Sequence, residues 1–261
     1  MPSAQIRFDQ VSLSFRGATN QMTAKGRDGM DSQLLLQSLS FAIERGDRVA
    51  IVGPTGAGKT SLLRLLNRLV EATQGSIYYE DQDIRQIPVT ELRQKITLVL
   101  QESRLLGLTV RDTLAYPLKL QNLSHQVIQE QVSHWVEQLS IPGEWLDRME
   151  VQLSLGQRQW VSIARALILH PTVLLLDEPT SALDLGKSTS LVSLLKTLST
   201  RDALTVVMVN HQLEVVQEFA THILYLHQGK LQRDVPAQEV DWAELRQTIL
   251  NAEVQEAEEW S

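Results

Sequence analysis

Eight consecutive residues constrain this chain more than any others: Gly53-Pro54-Thr55-Gly56-Ala57-Gly58-Lys59-Thr60 fits the pattern G-x-x-x-x-G-K-[ST]. The run follows an apolar, strand-like stretch, Arg48–Val52. It leads into Ser61–Val70, where Leu62, Leu63, Leu65, Leu66, Leu69 and Val70 recur at helical spacing. A strand that passes through a glycine-rich loop into a helix can converge several backbone N–H groups on one anion. A β-carbon at the positions of close approach would obstruct that anion, and Gly53, Gly56 and Gly58 have none. The start of the helix adds unpaired N–H groups and the positive end of its dipole. Lys59 brings a mobile charge suited to β- and γ-phosphates, and the Thr60 hydroxyl is suited to Mg²⁺. Residues Gly53 to Ser61 are therefore read as a nucleoside triphosphate site.

The surrounding pattern is α/β. Ile6–Phe15 alternates loosely, and a second apolar run covers Leu34–Ile43 before the turn Glu44-Arg45-Gly46-Asp47. Between the two runs, residues 17–33 hold three glycines and many small polar side chains, which predicts a flexible insertion. Thr172–Leu176 and Leu204–Val209 are short β-rich runs separated by the helical stretch Leu185–Leu198, so a parallel strand–helix–strand crossover is expected. Leu123, Val127, Ile128, Val132, Trp135, Val136 and Leu139 form a helical face in a region with little strand character. That predicts a helical subdomain, about residues 102–160, inserted into the α/β core.

Charge and composition exclude several classes. With no cysteine, the chain has no disulfide scaffold, zinc ribbon, iron–sulfur cluster or thiol nucleophile. The net charge of −7 argues against a nucleic-acid partner. The last 23 residues, Glu239–Ser261, carry seven acidic groups and one arginine, which is −6 of that total. They read as a short acidic helix with a frayed end, and Leu245, Ile249 and Leu250 share one face. No run approaches the roughly 18 apolar residues of a membrane-spanning helix, and the N-terminus lacks the pattern of a secretory signal. A cytosolic location is expected.

Downstream, Thr172-Val-Leu-Leu-Leu ends in Asp177-Glu178. A carboxylate at the carboxyl end of a parallel strand sits at the rim where such sheets bind ligands, so Asp177 is suited to Mg²⁺ and Glu178 to an attacking water. Four further segments flank this pair, two before it and two after: Gln101 after Ile96–Leu100; Ser154-Leu155-Gly156-Gln157 ahead of a helix; Asp184 in Ser181-Ala-Leu-Asp; and His211 after the strand Leu204–Asn210. With the phosphate loop, this set resembles the ATP-binding-cassette (ABC) ATPase family over nearly the whole chain.

The resemblance implies a P-loop NTPase core with an antiparallel β subdomain and an inserted helical subdomain, an ABC ATPase domain over residues 6–238, and an acidic end at 239–261. It implies ATP and Mg²⁺ as ligands, with Thr60, Gln101 and Asp177 around the metal and Glu178, His211 and Gln101 in hydrolysis. Two copies would pair head to tail. Ser154, Gly156 and Gln157 of one would meet the γ-phosphate held by the other, and Asp184 would lie at the interface. Phe15 matches by position the aromatic residue that stacks on adenine. A separate membrane permease would be the partner and place the chain on the inner face of the membrane. Residues 92–122 weakly resemble cassettes of iron export and of phosphate import, and metal-ion export is the cargo expectation drawn from that. The competing reading is a non-transport ABC ATPase acting on nucleic acid or ribosomes. Two residues depart from the family pattern: Leu155 replaces the first signature glycine, and Trp160 stands where members usually carry arginine.

Overall fold

The computed structural model describes residues 4–14 and 34–259, with side chains as far as Gln255. Phe15 and the 17–33 segment, with the expectations attached to them, lie outside the described residues.

The chain begins β1 (Ile6–Ser14), β2 (Leu34–Ile43), β3 (Arg48–Val52), α1 (Lys59–Leu66), β4 (Gln74–Tyr79), β5 (Gln82–Asp83), α2 (Val89–Lys95) and β6 (Ile96–Val99). It continues through α3 (Val110–Leu120), α4 (His125–Gln138), α5 (Leu155–Leu167), β7 (Val173–Asp177), α6 (Leu185–Asp202) and β8 (Thr205–Val209). The last elements are α7 (Leu213–Phe219), β9 (His222–His227), β10 (Lys230–Pro236) and α8 (Trp242–Glu259).

One sheet is antiparallel, in the order β2-β1-β4-β5. The other has the order β10-β9-β3-β8-β7-β6 and is parallel except for β10 at its edge. The crossover from β7 through α6 to β8 pairs Val173 with Thr205 and Asp177 with Val209, as the sequence pattern predicts. Strands buried on both faces need apolar side chains at every position, which explains the unbroken runs in β7 and β8. Leu174, Leu176, Val206 and Met208 join the core shared with the helical layer. Val173, Leu175, Val207 and Val209 join the opposite core, with α1 and the antiparallel sheet.

Helix α1 stops at Leu66, so Leu69 and Val70, expected on its apolar face, lie beyond it. The reason is local. Arg68 has a φ of +52°, and its guanidinium donates to the carbonyls of Ile84 and Ile87 at 3.1 and 3.0 Å. The N–H groups of Leu69 and Val70 both turn back to the Arg64 carbonyl, closing the helix end. At the other terminus, α8 is an 18-residue helix rather than a short one. Leu245 is buried with Ala50, Val52 and Tyr225 in a third cluster and Ile249 packs on it, but Leu250 is 47% exposed.

The helical layer of α3, α4 and α5 is built around buried Ile128, Val132, Trp135 and Trp160. The Trp160 indole N–H donates to the Leu139 carbonyl at 2.8 Å. Its side chain thus fills the subdomain's core and satisfies a polar group beside it. Trp160→Arg, which restores the usual family residue, is expected to cost about 3 kcal/mol or more through lost packing and a buried charge. That lowers Tm by roughly 6 °C or more in a scanning calorimeter. A change within about 2 °C would contradict this account of Trp160.

Candidate active site

Strand register brings the site together. Ile51 of β3 pairs with Val209 of β8, and Val209 also pairs with Asp177 of β7. The carboxyl ends of three strands therefore lie level, at the rim where open parallel sheets hold ligands. Gly53 leaves this rim from β3, Glu178 from β7, and Asn210 and His211 from β8.

Along the phosphate loop, Gly58 caps α1 with a φ of +99°, and the Ala57 N–H bonds the Pro54 carbonyl at 3.3 Å. A β-carbon at Gly53 would stand 2.0 Å from the Leu226 carbonyl oxygen, whereas at Gly56 nothing lies within 4 Å. The sheet itself, rather than a ligand, forbids a side chain at Gly53, which refines the sequence argument. The Lys59 ammonium is buried and donates to the carbonyls of Gly53 and Pro54 at 2.8 and 2.7 Å. It therefore shapes the loop from within.

The Thr60 hydroxyl donates to Asp177 Oδ1 at 3.1 Å. Asp177 is only 4% exposed. Burial holds its carboxyl above the usual carboxylate range; the charge of Glu178 adds to this, and the Thr60 bond, Arg64 and Lys59 oppose it. Among the described residues no cluster of three or more His, Asp or Glu side chains could hold a metal by itself. A hydroxyl beside one poorly compensated carboxylate is instead a partial hard-oxygen set. Mg²⁺ fits such a set, and water would fill the rest of its shell.

Glu178 is the point of convergence. Its φ of +47° turns the chain sharply out of β7 while its N–H still bonds the Val209 carbonyl at 3.0 Å. Gln101 Nε2 donates to Glu178 Oε2 at 2.9 Å, and His211 Nε2 lies 2.9 Å from Glu178 Oε1. Three residues expected near one another from separate parts of the sequence thus form one contact group, one residue away from Asp177.

A polar network missing from the sequence reading stands behind His211. Asn210 and Thr180 are buried, and Asn210 Nδ2 donates to Thr180 Oγ1 at 2.8 Å. The Gln212 N–H donates to Asn210 Oδ1 at 2.9 Å, and Thr180 Oγ1 donates to Gln212 Oε1 at 3.2 Å. These bonds tie the segment after Glu178 to both neighbours of His211. The signal available in the sequence was a polar pair, Asn210 and Gln212, flanking the histidine where an apolar strand ends.

Ser154 caps α5: its hydroxyl accepts the Gln157 N–H at 3.2 Å, and the Gln157 side chain accepts the Ser154 N–H at 2.9 Å. A β-carbon at Gly156 would come within 2.5 Å of the Ala182 carbonyl oxygen, so the start of α5 packs on the loop before α6. Leu155, next to it, is 68% exposed. The crowded glycine of the segment is the one retained, and the replaced one stands in open space. Asp184 caps α6, accepting the Lys187 N–H at 2.9 Å. Beside the convergent carboxylates opens a groove of about 760 Å³ lined by Thr60, Arg64, Leu100, Gln101, Arg165 and Asp177.

A family profile described as ABC transporter matches residues 36–181. The chain is 37% identical over 242 residues to the methionine import ATP-binding protein MetN of Desulfitobacterium hafniense (strain Y51), covering 90% of this chain and 67% of the relative. It is 35% identical over 209 residues to the MetN of Francisella tularensis subsp. holarctica (strain OSU18), covering 78% of this chain and 59% of that protein. The chain thus spans about three fifths to two thirds of the length of these relatives. Among solved structures, the dimeric ATP-binding cassette MJ0796 in a post-hydrolysis state with ADP and Pi superposes with a TM-score of 0.79. It is 27% identical, over 90% of this chain and all of that one.

Proposed function

This chain belongs to the ABC transporter family, and from that premise we propose that it is the ATP-hydrolysing subunit of an importer, working as a pair of identical copies. The observation that carries the proposal is the convergence of Gln101 and His211 on Glu178, one residue from the Thr60–Asp177 contact at the head of the phosphate loop. It supports hydrolysis of a phosphoanhydride: a carboxylate for the water, a histidine beside it and an anion cradle together fit no simpler binding role.

In this reading Gly53 to Ser61 hold the phosphates of ATP, with Lys59 leaving its loop carbonyls for the β- and γ-oxygens. Thr60, Asp177 and Gln101 hold Mg²⁺, which when bound neutralises the charge that gathers on the transferring phosphoryl group. Glu178 accepts the proton of the attacking water, which requires one of its two occupied oxygens to be released. His211 carries the contact from Glu178 to the γ-phosphate. Ser154, Gly156 and Gln157 offer the N-terminus of α5 to the γ-phosphate of the second copy, and Asp184 lies across the same interface. Leu155 is directed away from that phosphate. Leu155→Gly is accordingly expected to change ATP turnover by less than about fivefold. A rise of about a hundredfold from a near-zero base, roughly 2.7 kcal/mol, would show that the leucine blocks the site.

No helix among the described residues is long and apolar enough to cross a membrane. The permease is proposed as a separate partner, seating a short cytoplasmic helix on the helical subdomain around residues 105–139 and holding this chain at the inner membrane face. The relatives' names move the cargo away from the metal-ion export expected from residues 92–122 and towards import of methionine or a similar small amino acid. The test is reconstitution with its permease in vesicles supplied with ATP on the side of this subunit. Labelled methionine should move toward that side in an ATP-dependent way. Indifference to methionine, together with ATP-driven movement of iron in the opposite direction, would overturn the importer reading.

A further inference from the structure

Four residues before Ser154, Glu150 opens a single 3-10 turn, Glu150–Gln152, with its side chain four fifths buried. A carboxylate held so far from water needs partners, and it has three. Oε2 accepts the N–H of Leu105 at 3.0 Å and that of Gly107 at 3.3 Å, while Oε1 lies 3.8 Å from Arg158 Nη1 on α5. Leu106 and Gly107 have φ values of +63° and +68°, a tight turn that aims the N–H groups of Leu105 and Gly107 at one anion. Here that anion belongs to the protein.

The segment just upstream is fastened to the same helix. Ser103 Oγ bonds the Gln159 side chain, and Arg165 Nη1 donates to the Arg104 carbonyl at 3.0 Å. Residues 103, 104, 105 and 107 are thus all bonded to Glu150 or α5, whereas Gln101, two residues earlier, is bonded to Glu178 on the other side. One short loop spans the hydrolytic carboxylate and the helix that begins with Ser154.

We infer that Glu150 is a positioning residue that makes this loop travel with α5, so that a displacement of α5 by the second copy's nucleotide changes where Gln101 sits relative to Glu178. The inference rests on the roles proposed above for Gln101 and for the start of α5. Glu150 itself touches no reacting atom. A residue there with no side-chain acceptor would release the amides of Leu105 and Gly107 and leave Arg158 without its carboxylate.

The test is a cycle of Glu150→Ala, Gln101→Ala and the double variant in the full-length chain, following kcat and KM for ATP, Tm, and amide exchange across residues 103–107. Glu150→Ala should lower kcat about tenfold with KM within about twofold, and should speed exchange at Leu105 and Gly107. In the Gln101→Ala background it should lower kcat by less than about twofold, because the loop then carries nothing to position. Glu150→Gln still accepts both N–H bonds and should stay within about threefold of wild type. Multiplied losses in the double variant, or an unchanged kcat in Glu150→Ala when Gln101→Ala is impaired, overturn the inference and leave the Gln101 assignment standing. Unchanged turnover in Gln101→Ala itself removes that assignment and the inference with it. Should Glu150→Ala fail to fold, Arg158→Met decides: a loss of about threefold is expected with Gln101 present and none in Gln101→Ala, and equal losses overturn the inference.

Discussion

Glu178→Gln is expected to lower ATP turnover by about 100-fold or more while leaving ATP bound. The amide has nearly the shape of the carboxylate; its oxygen keeps one of the two 2.9 Å contacts, from Gln101 or His211, and its NH2 faces the other, which then has to present an acceptor. What is lost is the negative charge and the ability to accept a proton from water. The effect should fall on kcat, with nucleotide affinity held by a loop that Glu178 does not touch. Steady-state turnover and equilibrium ATP binding measured on the same preparation separate the two. Hydrolysis at the wild-type rate would show that another group acts as the base.

Lys59→Ala is expected to produce the complementary loss: ATP affinity falls about 100-fold or more, read by calorimetric titration. Two effects add. The variant removes the charge proposed for the β- and γ-oxygens, and it removes the two bonds to the Gly53 and Pro54 carbonyls that shape the loop before ATP arrives. Unlike Glu178→Gln, it should abolish turnover through binding. Undiminished ATP binding would undermine the phosphate-loop reading.

The loop was legible in the sequence because its function needs contiguous residues, and glycines, a lysine and a threonine in one register can be read without knowing the fold. The strand runs were legible for a similar reason, since strands buried on both faces cannot hide polar residues, and Val173–Asp177 and Thr205–Val209 show almost none. What stayed hidden depends on register and distance. That Glu178 meets both Gln101 and His211 follows from β7 pairing Asp177 with Val209 of β8 on one side and Leu176 with Val99 of β6 on the other, which no local pattern encodes. Trp160 looked like a defect in a motif read along the chain. In space it is a core side chain whose partner, the Leu139 carbonyl, lies 21 residues away. Glu150 carries no signal in the sequence, because an acidic residue in a turn is commonplace and the partners that hydrogen-bond it are backbone amides. Helix α1 ends sooner than its leucine pattern predicts for a related reason: Arg68, just past its end, reaches carbonyls in the segment after β5.

In the proposed reading each nucleotide site is completed by the start of α5 from a second copy. The most direct test is the mass in solution of the Glu178→Gln chain with saturating ATP and Mg²⁺, measured by light scattering. Twice the mass of the single chain is expected with ATP, the single-chain mass without it, and the single-chain mass in both conditions once Ser154→Arg is added. A Glu178→Gln chain that binds ATP and remains at the single-chain mass would contradict that reading.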